Sequence, residues 1–161
     1  MIDQSDVISV ALNTTSKIVD DFSVYACPAT RVHRNVPYLT FRRKGGGHME
    51  AVYRIEKVYV FSPKSPIPEA TPDSHRKRLQ DYIQACKSSV SFSPANAPHR
   101  FYLFAKSEKI ELPHRPRPPR NQPPHWYYRL SDLKSGKEIV QVASKAADSS
   151  SWDLCHNIDS I

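Results

Sequence analysis

Residues 37–61, PYLTFRRKGGGHMEAVYRIEKVYVF, alternate in character on both sides of a glycine triplet. Successive side chains of a strand point to opposite faces, so such alternation demands extended chain. In the first run Tyr38, Thr40 and Arg42 share one face, and Leu39, Phe41 and Arg43 share the other. In the second, Val52, Arg54, Glu56, Val58 and Val60 oppose Tyr53, Ile55, Lys57, Tyr59 and Phe61. Two strands joined by glycines read as an antiparallel hairpin with its tip at residues 45–47. The chain has four glycines, and three of them stand at this tip beside Arg42, Arg43 and Lys44. Leu39 and Phe41 are the expected core residues of the first strand.

The remaining chain supplies shorter elements. Residues 3–20 read as a strand and a short helix, and FSVYACPA (22–29) as a strand ended by Pro28. The segment 62–73 carries four prolines and reads as a surface connection. A helix is expected after it, with Thr71 as cap, Pro72 in the first turn, and Leu79, Tyr82, Ile83 and Cys86 on one apolar face. RFYLFA and KIEL within 99–113 read as two strands around a turn. Proline and arginine dominate HRPRPPRNQPPH (114–125), which predicts an extended, polyproline-like loop. WYYRLSDL (126–133) reads as a strand and a helical turn, and residues 141–161 as an acidic, serine-rich extension.

At 161 residues the chain is long enough for one domain with a real core. No stretch approaches the ~18 apolar residues of a membrane helix, and the first residues lack the build of a signal peptide. The cytoplasm is the expected compartment. Three widely spaced cysteines, Cys27, Cys86 and Cys155, argue against a disulfide scaffold, and without a CxxC pair a structural zinc site is not expected. The net charge of +7 favours an anionic partner, nucleic acid foremost.

Two constellations carry that expectation. Tyr25, Arg31, His33, Tyr38, Arg42, Arg43 and Lys44 would combine phosphate-neutralising cations with rings able to stack bases, at roughly 1–3 kcal/mol per base. Tyr53 on the long strand and Trp126 behind the proline-rich loop add further rings. Arg115, Arg117 and Arg120 sit on a stiff backbone that loses little entropy when it meets a phosphate chain. Arg76 and Arg78, within HRKR (75–78), lie near a helix N-terminus, where a bound phosphate would relieve their conflict with the dipole. Catalytic chemistry is poorly supported. Glu56 and Lys57 are adjacent and diverge on a strand, and no HxH or HExxH spacing suggests a catalytic metal. No catalytic residue, metal or cofactor is therefore assigned.

The order YLTFRRKGGGHMEAVYRIEKVYVF, a helix, then HRFYLFAKSEKIELP resembles small PUA-like domains of the EVE and ASCH kind over about residues 22–113. The resemblance implies an α+β fold, a small bent β-barrel with a few peripheral helices. One such domain is expected over residues 1–140, with 141–161 as an extension. The resemblance also implies RNA or DNA binding, in some members with a modified base held in an aromatic pocket, and roles in bacterial defence. Tyr38, Arg42 and Tyr53 would then lie near the pocket or groove. The expected function is a nucleic-acid-binding module. Two alternatives stand beside it: a regulatory subunit docking a protein partner through 114–124, and a metal-dependent nuclease or nucleotide hydrolase.

Overall fold

The computed structural model describes residues 6–12, 16–30, 34–89, 97–120 and 126–145. Its elements are β1 (Val7–Leu12), α1 (Ser16–Phe22), β2 (Val24–Pro28), β3 (Tyr38–Arg43), β4 (Ala51–Phe61), α2 (Asp73–Ser89), β5 (His99–Glu111), β6 (Trp126–Tyr128), α3 (Leu130–Leu133) and β7 (Ser144–Lys145). The protein is thus α+β. The chain forms two compact units, one from residues 1–13, 32–55 and 105–161, the other from 14–31 and 56–104. The chain passes between them within β4 and β5.

In the first unit the strand order is β5-β4-β3-β1-β6-β7. The expected hairpin is present, β3 and β4 pairing antiparallel through Tyr38↔Arg54, Leu39↔Tyr53 and Thr40↔Val52. The expected barrel is not: the strands run from one edge to the other without closing. The reason is non-local. β1 lies parallel to β3, with Val7 opposite Tyr38 and Leu12 opposite Arg43, and antiparallel to β6 on its other side. No local periodicity announces such pairings. Leu39 and Phe41 are buried as expected, but so are Thr40 and Arg42 on the opposite face. That second face is covered by Met49, Leu112, Leu133 and Val140, which form one apolar cluster with Val7, Val52, Trp126 and Tyr128.

The second unit has the order β2-β5-β4, packed with α1 and α2. The helix face foreseen in the sequence is realised: Leu79, Tyr82, Ile83 and Cys86 are all buried. Tyr82 meets Phe101 edge-on, and Phe101 stacks on Phe61 with ring centroids 4.4 Å apart. Thr71 does not cap this helix. The Pro72 carbonyl accepts the first helical bond, from Arg76 N–H, and the buried Thr71 hydroxyl has no hydrogen-bond partner among the described residues. β5 is one strand of 13 residues, not two around a turn. Its polar middle, Lys106–Lys109, stays extended and exposed. Residues 146–161 of the expected extension lie outside the described residues. No helix among those described is long and apolar enough to cross a membrane.

Tyr128 carries a consequence for alkaline stability. Its side chain is fully buried in the first unit, and its hydroxyl has no hydrogen-bond partner among the described residues. Burial pushes this phenol up to about 12, with the nearby Arg42 charge pulling the other way. An unfolded tyrosine loses its proton near pH ~10. Between that value and about 12 the folded protein holds a proton that the unfolded chain has released. Stability is therefore whole below pH ~10 and falls as pH rises, by roughly 1.4 kcal/mol per unit. Denaturant titrations across this window should show that loss, and Tyr128→Phe should reduce it. Below the window Tyr128→Phe is expected to be neutral or stabilising by about 1 kcal/mol, because it removes an unsatisfied buried hydroxyl. An alkaline slope unchanged in the phenylalanine variant would refute the assignment.

Candidate nucleic-acid interface

The hairpin tip and the proline–arginine segment come together in the first unit. At the tip, Arg43 N–H donates to the His48 carbonyl (2.9 Å), and Gly47 N–H donates to the Arg43 carbonyl (3.0 Å). Gly45, Gly46 and Gly47 all have positive φ, of 91°, 119° and 82°. Side chains rarely adopt such a run, so the triplet is a conformational requirement of the tip. Beyond His48 the backbone turns to new partners. Met49 N–H donates to the Pro116 carbonyl (2.8 Å), and Leu112 N–H donates to the Glu50 carbonyl (2.9 Å). These two bonds place residues 112–116 beside the tip.

Part of the proline–arginine segment is packed, and its residues 121–125 lie outside the described residues. Pro116 and Pro118 are buried, whereas Arg115, Arg117 and Arg120 are exposed. Arg117 is held on both sides, its N–H donating to the Glu138 carbonyl and its carbonyl accepting from Val140 N–H. Arg115 takes a left-handed φ of 48°. Its Nη2 lies 3.7 Å from Glu50 Oε2. Arg43 Nε lies 3.5 Å from Glu50 Oε1, and His48 Nε2 lies 3.7 Å from Glu50 Oε2. Lys44 is exposed at the tip. One carboxylate thus faces two arginines and a histidine, beside a further lysine.

The other expected site residues have different roles. Arg42, 1% exposed, stacks over Trp126 at 4.7 Å, and its Nε donates to Ser9 Oγ (3.1 Å). Trp126 and Tyr53 are also buried, Tyr53 against Phe41. Tyr38 is half-buried against the apolar cluster. In the second unit Tyr25 is buried beside Tyr102. All four residues of HRKR have protein partners there. His75 Nδ1 is 2.8 Å from the Tyr59 hydroxyl, and Lys77 pairs with Asp81. Arg76 donates to the carbonyls of Pro68 and Glu69, so it fastens the proline-rich connection. Arg78 donates to the carbonyls of Ser23 and Phe104 and to Glu56. Arg31 and His33 lie outside the described residues.

Neither His48 nor Glu50 is among the residues that the sequence nominates as site members. Both follow the glycines, where a hairpin's returning strand faces the cations of its outgoing strand, and that spacing was the available signal. Among the described residues no three His, Cys, Asp or Glu side chains cluster as metal ligands would. Comparison of the chain with protein-family models, curated proteins and solved structures gives no match.

Proposed function

We propose that the protein binds nucleic acid through its phosphate backbone, using the first unit's cationic face of Arg43, Lys44, Arg115, Arg117 and Arg120. The supporting observation is the backbone tie between Met49 and Pro116, with Arg43 and Arg115 on the same Glu50 carboxylate. Such groups attract an anionic polymer and release its counterions on binding. Docking of an SH3-like partner has less support among residues 114–120, because that mode reads a run of exposed proline rings and here Pro116 and Pro118 are buried while Pro119 and the arginines face solvent. Either RNA or DNA satisfies this chemistry. Within a PUA-like reading Tyr38 is the ring available to a base, since Tyr25, Tyr53 and Trp126 are packed inside.

The test is fluorescence anisotropy with labelled single-stranded and duplex oligonucleotides across roughly 50–200 mM salt. The expected affinity falls steeply with salt. The combined variant Arg43→Ala, Lys44→Ala, Arg115→Ala should lower the log–log slope by about 2–3 units, near one per cation. Absence of binding at low salt, or a slope untouched by the three substitutions, would overturn the reading.

A further inference from the structure

We infer that Glu50 is a resident anion in a subsite for a single backbone phosphate, and that a bound ligand's phosphate takes its place. The inference rests on the nucleic-acid reading above and deepens it. Both carboxylate oxygens of Glu50 are engaged, Oε1 by Arg43 and Oε2 by His48 and Arg115. The two arginines come from the end of β3 and from the proline–arginine segment, and the imidazole comes from the returning limb of the tip. They converge on a carboxylate that bears the same charge as a phosphodiester.

The separations favour exchange. All three contacts lie at 3.5–3.7 Å, longer than the roughly 2.7–2.9 Å of a tight charge-assisted hydrogen bond. Glu50 itself is 43% exposed, so a ligand can reach it. Its backbone is fixed by Leu112 N–H, and its neighbour Met49 is fixed by Pro116. Rotation of the Glu50 side chain alone would therefore vacate the subsite and leave the cations in position. Until it is displaced, the carboxylate both occupies the cations and repels the incoming phosphate. Arg43 and His48 are partly buried and Arg115 is exposed, and contacts this long are individually weak, so the competition sets the affinity and does not abolish it.

Glu50→Gln should tighten oligonucleotide binding roughly three- to tenfold at low salt and steepen the salt slope by up to about one unit. Glu50→Ala should do the same. The gain should shrink when Arg115→Gln is already present, because the two residues share the site. In the unmodified protein, the side-chain carboxyl carbon resonance of Glu50 should shift as a short oligonucleotide is added. If the parent binds with the expected slope but neither Glu50 variant binds more tightly, the subsite is wrong and the nucleic-acid reading stands. If the Glu50 resonance stays fixed while others move, the subsite is likewise overturned. A parent that binds no oligonucleotide at low salt removes both.

Discussion

Arg78→Ala is expected to cost about 3 kcal/mol of folding stability, although the side chain touches no expected ligand. Its Nη2 donates to the Ser23 carbonyl (2.8 Å) and the Phe104 carbonyl (3.0 Å), and its Nη1 donates to Glu56 Oε1 (2.9 Å). Ser23 has a φ of 57°, a left-handed conformation that serine tolerates only when its surroundings hold it. Its carbonyl also accepts the Phe104 N–H, so the turn from α1 into β2 is tied to α2 and β5 at one point. Hydrogen bonds from a charged donor contribute about 1.5–3 kcal/mol, and truncation removes that donor from two carbonyls and one carboxylate at once. Partial exposure lowers the contribution of the Glu56 pair. For a chain of this size the loss corresponds to roughly 6–12 °C in Tm. Arg78→Lys keeps a charge but not the planar fork, and should recover less than half. Denaturant midpoints at pH 7 decide the matter. A shift within about 0.5 kcal/mol of the parent would refute the role.

Arg78 also shows where the sequence stops being informative. HRKR is four cationic-type residues in a row, and charge alone suggests an anion site. What takes up its two arginines is mostly a set of backbone carbonyls at 22–23, 68–69 and 104, and no residue type marks a carbonyl as an acceptor. The elements that were legible share a different property. The β3–β4 hairpin and the buried face of α2 are written in local periodicity, and Leu39, Phe41, Leu79 and Tyr82 fall where that periodicity puts them. The barrel expectation failed because the described edge strands β2 and β7 do not pair with each other, and no local pattern encodes which strands pair. The turn expected inside β5 failed because Lys106–Lys109 is polar for a different reason: it is an exposed stretch of a paired strand. The tip cluster stood between these cases. Arg43, Lys44 and the glycines were visible as a unit, and Arg115 was visible as a separate one. The Met49–Pro116 and Leu112–Glu50 bonds bring them together.

Arg42 is expected to matter for folding and not for phosphate contact. It sits on the face of β3 that alternation assigns to Tyr38 and Thr40, but this face is covered by the apolar cluster around Trp126 and Tyr128. The guanidinium lies 4.7 Å over the Trp126 ring and donates to Ser9. Weakly hydrated and planar, it is the cation best suited to stacking on an indole. Arg42→Ala removes that packing and opens a void between β1, β3 and β6. The expected loss is about 3–5 kcal/mol, measured by denaturant unfolding. Arg42→Met keeps most of the volume and removes a buried charge, so its cost should be well under half of that. Because it folds, the methionine variant also separates the two roles. Its salt slope for oligonucleotide binding should equal the parent's, whereas Arg43→Ala should lower the slope by about one unit. A methionine variant with a slope lowered by the same amount would place Arg42 at the phosphate after all. An alanine variant as stable as the parent would mean that the guanidinium is not packed on Trp126.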